Sequence, residues 1–296
     1  MNNSIRFPSA KTMFPLAGKK LTKAALIRTR YYLRYALSAR YCNGFVNFLN
    51  AHSLWKSLFY QNPYRFNSIL YRFCDKRFSP KQRLTALCYN FIFAEQSVGV
   101  SLCRKLVNEE SVLLTALGDE VSAYLNINKI DPLEGFFSIS LRNQHQQRLY
   151  DLSFSFLPRR RLLITSIQGP KGQEAQEQVR RLTKQLHGVR PAYMLLTMIK
   201  MICQALNCSL LGIKHKNQAK YRWNDHSRLL FNYDEFWAEN GAILNPKTQY
   251  WQLTTAIERR DLNEIQSKKR SMYRKRYDMF DQLQYAVNAL FTPGRR

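Results

Sequence analysis

The spacing of the apolar residues changes along the chain, from helical intervals to the alternation typical of β-strands. Apolar side chains recur at helical intervals over residues 19–40 and again over residues 45–59. A third helix is predicted to begin at Ser79, because Pro80 takes the first helical position and Gln82 completes a capping box. The first hundred residues are therefore predicted to be chiefly helical, with the strands following them.

Strict alternation of apolar and polar residues begins near residue 121 and predicts strands joined by short polar turns. The predicted strands cover residues 121–127, 135–141, 149–156, 161–167, 209–213 and 250–253. Further helices are predicted at residues 174–186, from Pro191 onward, at residues 233–239 and at residues 262–291. We expect an α+β protein with a mixed, largely antiparallel sheet, flanking helices and a long C-terminal helix.

Basic charge dominates the chain and is unevenly distributed. Lys and Arg number 46 against 20 Asp and Glu, for a formal net charge of +26, and residues 1–83 contain Asp75 as their single acid. We expect a flexible tail at residues 1–15, a helical, basic region at residues 16–110 and a mixed α/β body at residues 111–296. Such a charge favours a polyanionic partner: anionic lipid, a lipopolysaccharide precursor, coenzyme A or nucleic acid.

Two basic segments are the predicted contact surfaces for that polyanion. Residues 268–276 hold six cations among nine positions, and the polyanion is predicted to bind at Lys268, Lys269, Arg270, Arg274 and Arg276. The N-terminal helix alternates arginines with tyrosines, which suits an anionic membrane surface or stacked bases. A further basic stretch spans residues 214–228. The alternative for all of these charges is a solvated face without a ligand.

Leader and cysteine patterns favour a cytoplasmic protein, peripheral to the inner membrane if it contacts one. Lysines and Arg28 interrupt the first thirty residues, so a signal peptide is not predicted there. The chain has six cysteines and no CxxC pair. They are therefore predicted to be buried free thiols, and no bound metal is expected.

A glycine-bearing loop follows the strand predicted at residues 161–167. The order of strands and helices around it resembles the acyl-CoA-dependent N-acyltransferase (GNAT-like) architecture, in which this loop and the next helix hold the coenzyme's pyrophosphate. The resemblance implies a cofactor such as an acyl-CoA or related acyl thioester, held at Gln168, Gly169, Lys171 and Gly172. Lys171 and Gln173 depart from the expected glycine pattern, and Pro170 lacks an N–H donor. An ordinary strand–turn–helix junction is the alternative.

Two further groups are predicted to contribute to a site. His187 and Arg190 flank a tight turn between predicted helices, so His187 is a candidate proton acceptor and Arg190 a candidate phosphate ligand. In the second group Asp234 is the candidate acid or base, and Tyr233, Phe236 and Trp237 are predicted to line a pocket. The alternatives are a histidine that interacts with helix carbonyls and a helix whose aromatic face lies in the core.

Four ordered blocks carry a resemblance to a known family. They are Gln168-Gly169-Pro170, the His187-Gly188-Val189-Arg190-Pro191 turn after Lys184, the segment Tyr233-Asp234-Glu235-Phe236-Trp237, and the basic block at residues 267–277. In this order they resemble the VirK/YbjX family over roughly residues 60–291. The resemblance implies a domain of unassigned biochemical function that relatives use in virulence, envelope integrity and resistance to cationic antimicrobial peptides. Asn240 replaces one glycine of an expected Gly-Gly pair.

These observations lead to one hypothesis and two rivals. The hypothesis is an acyltransferase-like protein that acts at the cytoplasmic membrane face during envelope remodelling. One rival is a non-enzymatic regulator that binds nucleic acid through the same basic surfaces. The other is a membrane-peripheral scaffold that assists the localisation of an outer-membrane protein.

Overall fold

A computed structural model describes residues 4–15, 21–221 and 231–291. The described strands are β1 (Ser111–Ala116), β2 (Val121–Ile127), β3 (Phe137–Asn143), β4 (Arg148–Leu157), β5 (Arg161–Gln168), β6 (Ser209–Ile213), β7 (Ile243–Leu244) and β8 (Tyr250–Leu253). The described α-helices are α1 (Ala10–Met13), α2 (Leu21–Ala51), α3 (Ser53–Gln61), α4 (Asn67–Leu70), α5 (Pro80–Phe93), α6 (Val100–Glu109), α7 (Ala175–Gln185), α8 (Pro191–Leu206), α9 (Tyr233–Glu239) and α10 (Ser267–Phe291).

The described strands form one sheet in the order β1-β2-β3-β4-β5-β6-β8-β7. Consecutive strands from β1 to β5 pair antiparallel, as short turns allow. Among the described strands β5 and β6 form the one parallel pair, and α7 and α8 provide the long connection that such a pair needs. The predicted α+β class, with a largely antiparallel mixed sheet and a long C-terminal helix, is confirmed.

The start of α5 shows why its sequence folds locally as predicted. The Ser79 hydroxyl accepts a hydrogen bond from the Gln82 backbone N–H at 3.3 Å, and the Gln82 side chain accepts one from the Ser79 N–H at 2.8 Å. Both donors would otherwise lack an intrahelical partner. Pro80 adds a fixed φ at a position where its missing N–H costs nothing.

Helix α2 is longer than the sequence pattern suggested. It runs without a break over 31 residues, through the interval that separates the helices predicted at residues 19–40 and 45–59. Gly44 lies inside it at a close approach to α5, since a Cβ built there would stand 3.3 Å from the Leu84 side chain. The glycine therefore permits helix packing where the pattern suggested an interruption.

Strands β1 and β7 were not predicted. Strand β1 lies at one edge of the sheet and pairs with β2, with an irregularity in register between Leu113 and Thr115 that disturbs its alternation. Strand β7 has two residues, too few for an alternating pattern to be recognised. Both strands are held by pairing with a longer neighbour, which a local pattern does not reveal.

The N-terminal segment makes defined contacts with α2. The Ile5 N–H donates to the Asn50 side chain at 2.8 Å, and the Asn50 amide donates back to the Ile5 carbonyl at 3.0 Å. The Tyr31 hydroxyl donates to the Pro8 carbonyl at 2.6 Å. These contacts hold residues 4–15 against the helix, and the division of the chain into tail, helical region and body stays a prediction.

The core lies between the sheet and the helices that pack on it. Helix α8 is buried along most of its length and contacts β3, β4 and α10. A cluster of aromatic rings, including Trp55, Phe91 and Phe136, joins α3 and α5 to the start of β3. Within the described ranges, no helix has both the length and the apolar character required to cross a bilayer.

Candidate ligand-binding cleft

A cavity of about 790 Å³ opens between α2 and the end of β5. Its walls carry five cationic side chains, which define what we call the basic cleft: Arg30, Arg34, Arg72, Lys171 and Lys220. They come from the N-terminal helix, the segment after α4, the loop after β5 and the segment after β6. A volume of this size accommodates a small organic ligand.

Most of the glycine-bearing loop predicted from the sequence lines this cleft, although Gly172 does not. Gln168, Gly169, Pro170 and Lys171 are all on its wall, and α7 begins just beyond them at Ala175. Gly169 lies against the ring of Tyr150, where a Cβ would stand 2.4 Å from the ring carbon Cζ. Only glycine therefore fits this point of the loop while the ring stays in place.

Tyr233 fills the space that opens where β5 and β6 stop pairing. The last β5–β6 register pair is Ile164 with Gly212. Beyond it the Tyr233 hydroxyl accepts from the Ile167 N–H at 2.8 Å and donates to the Ile167 carbonyl at 3.1 Å. Burial raises the pKa of this tyrosine. The ring thus closes the gap between the strands, and the basic cleft remains open beside it.

The arginines of the cleft crowd one another around a single tyrosine. The guanidinium carbons of Arg34 and Arg72 stand 3.6 Å and 4.7 Å from the centroid of the Tyr71 ring. Burial lowers the pKa of Arg34, and the neighbouring charges of Arg30 and Arg72 lower it further against the attraction of Tyr71. Neither Arg34 nor Arg72 forms an ion pair with a described carboxylate, so a bound anion would relieve this repulsion.

Two carboxyl groups lie opposite the loop, and the sequence reasoning missed them. Glu134 is 3% exposed and accepts a hydrogen bond from the Gln168 side chain at 2.9 Å. The Lys220 ammonium stands 3.4 Å from Glu134 and 3.1 Å from Asp131. An acid in a short turn before a strand carries no sequence signal that separates it from an exposed turn residue.

Burial raises the pKa of Glu134, and the attraction of Lys220 only partly offsets this effect. Burial also lowers the pKa of Lys220, but its two acidic neighbours, Glu134 and Asp131, raise it above the usual value overall. Lys220 therefore stays a cation, and Glu134 binds a proton more readily than an exposed glutamate does. A carboxyl pKa raised by burial is a common feature of general acids and bases.

His187 and Arg190 lie away from the residues that line the cleft. The His187 backbone is left-handed, with φ at 51°, and its carbonyl accepts from Arg276. Burial lowers the pKa of the His187 imidazole, as do the charges of Lys275 and Arg276. Arg190 is exposed and occupies the N-cap position of α8 without a capping hydrogen bond from its side chain. Their predicted roles in proton transfer and phosphate binding stay predictions.

In the second predicted group, Tyr233 lines the cleft, and Asp234, Phe236 and Trp237 do not. The Asp234 carboxylate accepts from the His215 N–H at 3.0 Å and from the Trp251 indole at 2.8 Å. Phe236 and Trp237 are buried, and the Trp237 indole donates to the Ile213 carbonyl at 2.8 Å. The predicted catalytic role of Asp234 is not tested by these contacts.

The cations predicted to bind a polyanion on α10 differ in their surroundings. Lys268, Lys269 and Arg274 are exposed. Arg270 donates to the Ile265 carbonyl at 2.9 Å, and Arg276 donates to the His187 carbonyl. The first three are therefore available to a partner, while the other two hold the helix in place. Lys19, Lys20 and residues 222–228 of the basic stretches lie outside the described residues.

Comparison with known proteins identifies the family. An uncharacterised protein of Haemophilus influenzae is 47% identical over 289 residues, covering 97% of this chain and 99% of its own. The membrane protein LapB of Mannheimia haemolytica is 35% identical over 74% of this chain and 96% of its own. The uncharacterised protein YbjX of Escherichia coli is 25% identical over 72% of this chain and 68% of its own.

No solved structure matches the chain significantly. The expected VirK/YbjX resemblance is confirmed by the YbjX and LapB matches. A family described as protein of unknown function (DUF535) matches residues 20–289, which extends the similarity toward the N-terminus beyond the residues that suggested it. The chain therefore belongs to the DUF535 family.

Proposed function

We propose that this protein binds an acyl-CoA or a related acyl thioester in the basic cleft and transfers its acyl group. The proposal places this activity at the cytoplasmic face of the inner membrane, in envelope remodelling. One observation carries it: the loop from Gln168 to Lys171 lines a cavity whose other walls hold four more cations. Phosphate groups are the ligands that such a set of charges and a nearby helix start favour.

The cations of the cleft support binding of the phosphate groups of the ligand. Arg34 and Arg72 flank Tyr71 without a described acidic partner, and Lys171 extends the positive surface to the loop. Tyrosine rings line the same space, among them Tyr64, Tyr71 and Tyr150. Aromatic walls would hold an adenine ring or an acyl chain, while the cations hold the phosphates.

Glu134 is the proton acceptor in this proposal. An acyl thioester would supply the reactive carbonyl carbon, whose C–S bond breaks as a C–N or C–O bond to the acceptor forms. Glu134 would take the proton from the acceptor's amine or hydroxyl and return it to the departing sulfur. Gln168 and Lys220 position the carboxyl group. Glu134 takes the role that the sequence suggested for His187 or Asp234, because it lines the cleft and they do not.

The family supports the cellular setting in general terms. One relative is named a membrane protein, which fits the proposed position at a membrane surface. Roles in virulence or in resistance to antimicrobial peptides are those that the VirK/YbjX resemblance implies.

Calorimetric titration of the full chain with acyl-CoA tests the proposal. We expect saturable binding that Lys171→Ala and Arg72→Ala each weaken by about tenfold. Lys247→Ala, which removes an exposed cation that does not line the cleft, should leave the affinity unchanged. An acyl-pantetheine without the nucleotide phosphates should bind equally to all four proteins. Absence of saturable binding, or equal losses in the Lys247 variant, would contradict the proposal.

A nucleic-acid-binding regulator is the second candidate, favoured by the exposed cations Lys268, Lys269 and Arg274 on α10. Mass spectrometry of molecules that co-purify with the native protein separates the two. A CoA species supports the transferase. Nucleic acid that survives a high-salt wash supports the regulator.

A further inference from the structure

Helix α2 presents an apolar face that no described part of the chain covers. Leu26, Leu33 and Leu37 are 48%, 61% and 75% exposed. Their spacings of seven and four residues place them on one side of the helix. Tyr32, also largely exposed, lies about a third of a turn to one side of these leucines. We call these four residues the outer face of α2.

Another side of the same helix belongs to the protein interior, where Tyr31 and Ser38 are buried. At about 100° per residue, the cleft-lining residues Ile27, Arg30 and Arg34 lie between this buried side and the leucines. The three leucines therefore form an exposed apolar stripe beside the cleft. Exposed apolar surface with a polar border is typical of a contact surface.

Cations border the outer face, and acids are absent from the helix. Lys23, Arg30 and Arg40 are exposed beside the leucine stripe, Arg28 is exposed on another side of α2, and the 31 residues of the helix contain neither Asp nor Glu. A second copy of the chain would bring the same cations and a net charge of +26 to the contact, so self-association is disfavoured. Nucleic acid offers negative charge but no apolar layer for the leucines.

We infer that the outer face of α2 docks on an anionic bilayer, with Leu26, Leu33 and Leu37 inserted among the acyl chains and the bordering cations at the headgroups. A bilayer places negatively charged headgroups directly above apolar acyl chains, so one partner can contact both the cations and the leucines. Tyr32 takes the interfacial position that aromatic residues with a polar tip favour. The inference builds on the membrane location in the proposed function, because it identifies the surface that would contact the membrane. It does not depend on acyl transfer.

Co-sedimentation with vesicles of phosphatidylcholine, with and without phosphatidylglycerol, tests the inference. We expect the full chain to bind the phosphatidylglycerol vesicles, and the triple variant Leu26→Gln, Leu33→Gln, Leu37→Gln to bind them at least about tenfold more weakly. The control is Val100→Gln, Leu113→Gln, Ile243→Gln, which removes three side chains of similar exposure, 47%, 51% and 73%, from other surfaces. This control should bind like the native chain.

A second readout does not depend on a triple substitution. In the Leu33→Trp variant, the emission of the introduced tryptophan should shift to shorter wavelength on addition of phosphatidylglycerol vesicles. The shift should occur whether or not acyl-CoA is present. The inference is overturned if the α2 triple variant binds vesicles like the native chain, or if the added fluorescence does not move. It is also overturned if the leucine substitutions weaken RNA binding or self-association and leave vesicle binding intact. Loss of acyl-CoA binding with retained vesicle binding would reject the transferase alone.

Discussion

The Arg276 guanidinium donates two hydrogen bonds to the carbonyl oxygen of His187, at 3.1 Å from Nε and 2.9 Å from Nη2. The contact joins α10 to the left-handed turn between α7 and α8. It also connects two of the sequence blocks by which the family was recognised. At least one cation of the basic block therefore stabilises the fold. A loss of polyanion binding in an Arg276 variant would include any effect of a weakened fold.

We predict that Arg276→Ala lowers the free energy of unfolding by about 1–3 kcal/mol, because a charged donor with two bonds to one carbonyl is lost. Urea denaturation measures this change. Arg274→Ala removes an exposed cation two residues earlier and should change the stability by no more than about 0.5 kcal/mol. Equal losses in the two variants would mean that the hydrogen bonds to His187 contribute little.

Tyr233→Phe should destabilise the protein by about 2–4 kcal/mol, because it leaves both the N–H and the carbonyl of Ile167 without their buried partner. Thermal or urea unfolding measures the loss. Tyr285→Phe, at a position that is 67% exposed, is the matched control and should be nearly neutral. A neutral result for Tyr233→Phe would show that the gap between β5 and β6 does not need its hydroxyl.

Asp151 makes stability depend on pH near neutrality. Burial raises the pKa of this β4 carboxyl from 3.8 to about 6, against the attraction of Arg148 and Arg142. The folded chain thus binds the proton more tightly than the unfolded chain. The resulting stabilisation is fully present below about pH 4 and is lost as the pH rises through about 6.

We therefore expect Asp151→Asn to gain stability over the native chain as the pH rises from about 4 to about 7, by up to roughly 3 kcal/mol. Urea unfolding at several pH values gives the difference curve. Asp278→Asn, at an exposed position, controls for the loss of one negative charge. If the stability of Asp151→Asn relative to the native chain falls as the pH rises, the pKa of Asp151 is not raised in the folded state and the argument is rejected.

Gly169→Ala should cost about 1–3 kcal/mol, since its Cβ would meet the Tyr150 ring at 2.4 Å. In a Tyr150→Ala background the same substitution should cost less than about half as much, because the obstructing ring is gone. Unfolding of the two single variants and the double variant completes the cycle. Additive losses would mean that the loop, and not the ring, resists the added methyl group.

The sequence predicted elements well where local chemistry alone determines them. The bounds of β2, β6, α9 and β8 agree with the predicted ranges, because alternation or a capped aromatic segment marks each of them. The uninterrupted α2 was missed, since the two predicted helices left a gap at residues 41–44, where Gly44 packs against Leu84 of α5. Strands β1 and β7 depend on partners distant in sequence, which no local period reports.

The candidate site was predictable only at its loop. Gln168, Gly169 and Lys171 could be found because a glycine-bearing turn between a strand and a helix has a known affinity for phosphate. Arg34, Arg72 and Lys220 come from separate parts of the chain, and the tertiary fold alone brings them together. Glu134 was missed because its suitability as an acid or base comes from burial beside Lys220. The sequence of a turn does not show whether an acid in it is buried.

Helix α2 contributes to two surfaces at once. Arg34 lines the cleft, and Leu33, its neighbour in sequence, is exposed about 100° away around the same helix. A helix with its side chains is about 10 Å across. A ligand in the cleft would thus lie within about one helix diameter of the proposed bilayer, and a rotation of α2 would alter membrane contact and ligand binding together.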